Sequence, residues 1–164
     1  MFKILAVLSI VVGALSAKCG GSSCCCGTAE KKPVRFPAID KLLGLVMALS
    51  LAMLALTGFY AALLGHHLTG YLLICHTGCG GAFAGSLALL ALFRAEAETG
   101  GCKCLLWTLV VGGLGVTLTA VVMMQPWFGT HGQETLVELH RYSSLLAVVG
   151  GIGCCGQALR AKSA

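Results

Sequence analysis

Four stretches of the chain, Leu42–Leu64, Leu68–Phe93, Leu105–Met124 and Leu136–Leu159, each run for 20 residues or more almost without charge. The hydrocarbon core of a bilayer is crossed by a helix of roughly 20 apolar residues. In hydrocarbon every backbone polar group needs a partner within the segment, so stretches of this length read as helices. Only Glu138 and Arg141 interrupt the pattern, in the first turns of the fourth stretch. The composition agrees: 57% of residues are hydrophobic and 10% charged, where a soluble domain carries about 25% charge. The fold class expected is therefore all-α, a membrane four-helix bundle with an additional short N-terminal hydrophobic segment.

That segment is Ile4–Ala17, preceded by Lys3 and ending in "GALSAK". It reads either as a secretory signal peptide or as a short anchor that stays attached. Lys18 occupies the place where lipoprotein cleavage before Cys19 needs a small residue. The expected organisation is residues 1–17 as this segment, 18–41 as a polar Cys-rich linker, 42–159 as the transmembrane domain and 160–164 as a basic tail. Pro33 and Pro37 keep a helix from continuing through the linker. "RAEAETGGCK" at 94–103 and "QPWFGTHGQE" at 125–134 are the longer connections, and Pro126 ends the third span.

Two membrane faces follow from four spans. Lys18, Lys31, Lys32, Arg35, Lys41, Arg94, Lys103, Arg160 and Lys162 belong to one, side A. Side B holds Arg141, and Lys3 as well if the first segment spans. Basic residues collect on the cytoplasmic side, so side A is read as cytoplasmic. A cleaved signal peptide would reverse this; the asymmetry is preferred because three separate segments carry it. The same rule accounts for the net charge of +5 without a nucleic-acid partner.

All five histidines, His66, His67, His76, His131 and His140, fall on side B or in the half-membrane nearest it. The second and fourth spans both start there and run parallel. With helix starts near His67 and Gln133, His76 lies nine residues in and His140 seven, roughly 13 and 10 Å deep. Two imidazoles at similar depth on parallel helices suit a metal between them, and haem iron in a helical bundle is the leading candidate. Gly78, Gly80, Gly81 and Phe83 near His76, and Ser143, Ser144 and Ala147 near His140, are small or flat enough for a planar macrocycle. Small residues also serve close helix packing. Arg141, His66 or His67 would partner haem propionates, and His66 or His67 is an alternative axial ligand. His131 reads as an interfacial residue. Gln125, Trp127, His131 and Glu134 offer either a quinone-site wall or an ordinary membrane interface.

"GHHLTGYLLICHTG" followed by "LHRYSSLLAVV" resembles the membrane b-type cytochrome subunits of the formate dehydrogenase gamma-subunit and nickel-hydrogenase cytochrome b kind. The matching residues are Gly70, Tyr71, Leu72, Leu73 and His76, then Leu139, His140, Arg141 and Tyr142. The likeness spans about residues 40–159, with its specific part in these two motifs. It implies an electron-transfer subunit of an oxidoreductase complex, more than a stand-alone enzyme with catalytic residues of its own. Such a subunit uses b haem to pass electrons between a quinone pool and a partner redox protein. With no histidine near side A, one haem b is expected rather than two. The implied setting is the bacterial inner (cytoplasmic) membrane, with the haem nearer the non-cytoplasmic face.

Ten cysteines remain to be explained. Cys19, Cys24, Cys25, Cys26, Cys102, Cys104, Cys154 and Cys155 lie at side A, while Cys75 and Cys79 lie within the second span and read as packing residues. No Cys-x-x-Cys-His motif is present, which excludes covalent c-type haem. The side-A thiols are either a zinc, iron–sulfur or disulfide-exchange cluster, or small apolar residues tolerated near spans. Two alternative functions follow: a quinone-coupled thiol oxidoreductase, and a non-haem Cys/His metal-binding membrane protein.

Overall fold

The computed structural model describes residues 37–65, 68–94, 101–125 and 127–163. The N-terminal segment, most of the linker, His66, His67 and Pro126 lie outside the described residues. Four helices account for nearly all of the rest: α1 Pro37–Leu64, α2 Gly70–Arg94, α3 Gly101–Met123 and α4 Thr130–Ser163. The expected spans fall inside them except for Leu68, Thr69 and Met124, and the helices also take in residues 37–41 of the expected linker and residues 101–103 and 130–134 of the expected connections; among the described residues there are no strands.

The helices end where local chemistry stops them. Gly65 follows α1 with φ of 72°, a left-handed conformation that glycine adopts without a Cβ penalty. Gly70 opens α2 with φ of 58°. The last turn of α3 tightens, with the Met124 amide shared between the carbonyls of Ala120 and Val121. The Gln133 side-chain amide donates to the Gln125 carbonyl at 3.3 Å and ties the start of α4 to the end of α3.

Lys41–Leu64, Gly70–Phe93 and Cys104–Met123 are each long and apolar enough to cross a membrane. Most of their apolar side chains point outward: Leu42, Leu56, Leu92 and Leu118 are all exposed. A water-soluble protein does not leave so much apolar surface uncovered, and lipid is the solvent that fits it. The helix α4 is more polar at its start, where Glu134, Glu138, His140 and Arg141 fall within the first turns. Arg141 donates to Glu138 Oε1 at 2.6 Å, which reduces the cost of those two charges at the membrane boundary.

The bundle is built from two antiparallel hairpins. The helix α1 packs along α2 and α3 along α4, with slimmer contacts between α2 and α3 and between α1 and α4. The second hairpin is the tighter. A Cβ placed on Gly112 would lie 2.5 Å from the Ala147 amide nitrogen, and one on Gly150 would lie 2.6 Å from that of Leu109. The α3 and α4 backbones therefore touch at glycine, as small-residue interfaces in membranes allow. Met47, Phe83, Leu87, Leu90, Leu106, Leu109, Val110 and Ala147 form the buried core. These residues fill the half of the bundle toward side A, and the half toward side B is hollow.

Candidate cofactor cavity

The hollow is a cavity of about 390 Å³ bounded by all four helices. Cofactor and small-molecule sites span about 300–1,000 Å³. Both His76 and His140 line it. The structure thus brings together the two imidazoles that the sequence placed at one height. The route differs slightly from expectation: α2 starts at Gly70 and α4 at Thr130, so His76 is six residues into its helix and His140 ten. Both side chains line the same cavity all the same.

Phe83 is 1% exposed and belongs both to the cavity wall and to the packed core, so it forms the floor. Arg141 lines the cavity while paired with Glu138. Ser144 and Ala147 line it on the α4 side, as their spacing from His140 predicted. Ser143 turns to α3 instead, with its Oγ 2.7 Å from where a Cβ on Gly115 would stand.

The glycines near His76 are a correction. Gly78 and Gly81 are exposed with nothing within 4 Å of a built Cβ, and Gly80 meets only Leu54 at 4.0 Å. None of the three lines the cavity. The small residues that make room for a flat group come from α1: Ala55, Gly58, Ala61 and Ala62. Gly58 lies directly beneath the His76 ring, whose Cε1 is 3.5 Å from a built Cβ.

Two further residues were not expected at all. Thr57 Oγ1 on α1 lies 2.7 Å from His76 Nδ1, and Thr119 Oγ1 on α3 lies 3.0 Å from His140 Nδ1. Both threonines are buried. Helix hydroxyls in hydrocarbon satisfy themselves on their own backbone, and Ser50, Thr77, Ser86, Thr108, Thr117 and Thr135 stop there. Thr57 and Thr119 go further and also reach a side chain on another helix. The pairing occurs once per hairpin, from its first helix to its second. No repeat was visible in the sequence; the signal available was a threonine in each of the two spans that precede a histidine-bearing span.

His131 is exposed on the first turn of α4, away from the cavity lining, and Trp127 is 74% exposed beside it. Gln125 and Glu134 do not line the cavity either. Cys75 is exposed on α2 rather than packed between helices, and Cys79 is half-buried. Cys104 and Cys155 are exposed, and Cys154 packs at the edge of the core. Among the described residues no group of three or more His, Cys, Asp or Glu side chains is gathered as a bare metal ion needs. No family model, curated protein or solved structure matches the chain.

The donor set and the space suit haem. Haem would need two donors from the protein, and His76 and His140 would hold it. Small residues on α1 and α4 line the cavity together with the two imidazoles, and aromatic and aliphatic side chains and Arg141 complete its wall.

Proposed function

We propose that the protein is a membrane electron-transfer subunit that carries one b-type haem, with His76 and His140 as its axial ligands. Electrons pass between a quinone pool and a partner redox protein, and the setting is the bacterial inner membrane with the haem nearer the non-cytoplasmic face. The observation that carries this reading is the pair of imidazoles, one from each of two parallel helices, lining a single cavity. A bound haem contributes reversible one-electron chemistry at iron. The chain's own residues do the rest. His76 and His140 hold the group across the bundle. Phe83 and the α1 wall of Ala55, Gly58, Ala61 and Ala62 exclude water from its faces. Arg141 offers a cation to its carboxylates, with His66 and His67 as further partners from the connection between α1 and α2.

The test is a dithionite-reduced minus oxidised spectrum of the detergent-solubilised protein from haem-replete cells. Sharp Soret and alpha bands of low-spin bis-histidine haem are expected. His76→Ala and His140→Ala each abolish them, and His131→Ala leaves them intact. Bands that survive both of the first two substitutions would remove these histidines from the site.

A further inference from the structure

We propose that Thr57 and Thr119 are positioning residues, which lock both cavity imidazoles in the Nδ1–H tautomer and leave each Nε2 lone pair for a ligand. In its consequence for haem, this rests on the reading of His76 and His140 as axial ligands.

The argument is a count of protons. A threonine hydroxyl has one proton to give. Thr57 Oγ1 lies 2.7 Å from the Met53 carbonyl oxygen. Two oxygens that close need a proton between them, and a carbonyl has none, so the hydroxyl proton is committed to Met53. His76 Nδ1 is also 2.7 Å from Oγ1, and the proton on that line must come from the ring. Thr119 repeats this. Its hydroxyl is 2.7 Å from the Gly115 carbonyl and 3.0 Å from that of Val116, and His140 Nδ1 is 3.0 Å away on the accepting side. A neutral imidazole with Nδ1–H carries its lone pair on Nε2.

Such outer partners orient a ligating histidine and fix its tautomer. A carboxylate is a common choice for this role, but a buried carboxylate in hydrocarbon is expensive. A hydroxyl that is already satisfied by its own helix accepts the ring proton without a buried charge. The same device appears in both hairpins, at the two rings that share the cavity.

The tautomer is read directly by nitrogen NMR of the full-length, haem-free protein with ¹⁵N-labelled histidine, in detergent at a pH where the rings are neutral. The wild type is expected to show two histidines with protonated Nδ1 and unprotonated Nε2. Thr57→Val moves only His76 toward the Nε2–H form, Thr119→Val moves only His140, and Thr→Ser at either position keeps the wild-type pattern. In haem titrations each Val variant loses affinity by about 10–100-fold, the usual effect of removing an outer-sphere partner, and each Ser variant recovers it. Wild-type rings in the Nε2–H form would overturn the proposal. So would Val variants with unchanged tautomers and unchanged affinity. Should a Val variant not fold, the wild-type and Ser spectra decide. A protein that shows the expected tautomers but takes up no haem would retain the threonine assignment and end the haem reading.

Discussion

Replacing Gly112 with alanine tests whether the α3–α4 contact holds the cavity in shape. The added Cβ would stand 2.5 Å from the Ala147 nitrogen, 3.0 Å from its Cα and 3.0 Å from the Leu146 carbonyl carbon. Ordinary contact begins at 3.4 Å, so the shortfall from 3.4 to 2.5 Å is 0.9 Å. Every atom it meets is backbone, and no rotamer change can relieve the clash. The two helices must part locally by a similar distance, against a core in which Leu109 and Val110 are fully packed. Overpacking of this kind costs about 1–3 kcal/mol. Alanine recovers about 1 kcal/mol of helix propensity relative to glycine, which leaves a net loss of about 0–2 kcal/mol against wild type and about 1–3 kcal/mol against a glycine-to-alanine change that meets no clash. Gly44 is the matched control, since nothing lies within 4 Å of its built Cβ; Gly44→Ala retains the propensity gain without the clash. Thermal unfolding in detergent, followed by circular dichroism, should place Gly112→Ala below wild type and Gly44→Ala at or above it. Ala147 also lines the cavity, so the Gly112 variant should bind haem more weakly as well. Equal stability of the two variants would refute the backbone contact.

Phe83→Ala removes the cavity floor, a ring that is 1% exposed, and should cost about 3–5 kcal/mol in the same unfolding assay. Arg141→Gln should lower haem affinity by about 10-fold or more, since hydrogen bonds to a charged group contribute about 1.5–3 kcal/mol. Glu138→Gln, which keeps the arginine, should lower it less; titration of haem into the haem-free variants measures both. Cys104 lies near the side-A end of α3 and is exposed, so in a variant with the other cysteines replaced it reports orientation. A membrane-impermeant maleimide should fail to label it in intact cells and label it after lysis; labelling in intact cells would invert the assigned topology.

The spans were legible because length and lack of charge are the two quantities a bilayer selects. Those signals do not depend on which face of a helix looks inward. His76 and His140 were legible for a related reason: an imidazole in an apolar run is conspicuous wherever it points. What lay around them was not. A helix in water announces its buried face by apolar periodicity, but α1, α2 and α3 are apolar all round, toward lipid and toward one another. Gly78 and Gly81 were therefore read as facing the cavity, Gly58 was passed over, and only the packing of α1 on α2 shows which of them lines it.

The threonines were hidden by the same degeneracy. A hydroxyl within a span is satisfied by its own helix wherever it lies, so Thr57 and Thr119 look locally no different from Thr77 or Thr108. Their partners, 19 and 21 residues further along the chain, depend on the register of each hairpin. That register is set on one side by Gly112 and Gly150 packing against backbone and on the other by the turn at Gly65 and Gly70. Slipping either hairpin by a single residue turns its helix faces by about 100° and separates hydroxyl from imidazole. The glycines that close the bundle toward side A and the threonines that aim the rings toward side B thus act through one geometric quantity. Gly112→Ala should accordingly disturb the His140 tautomer before it disturbs that of His76.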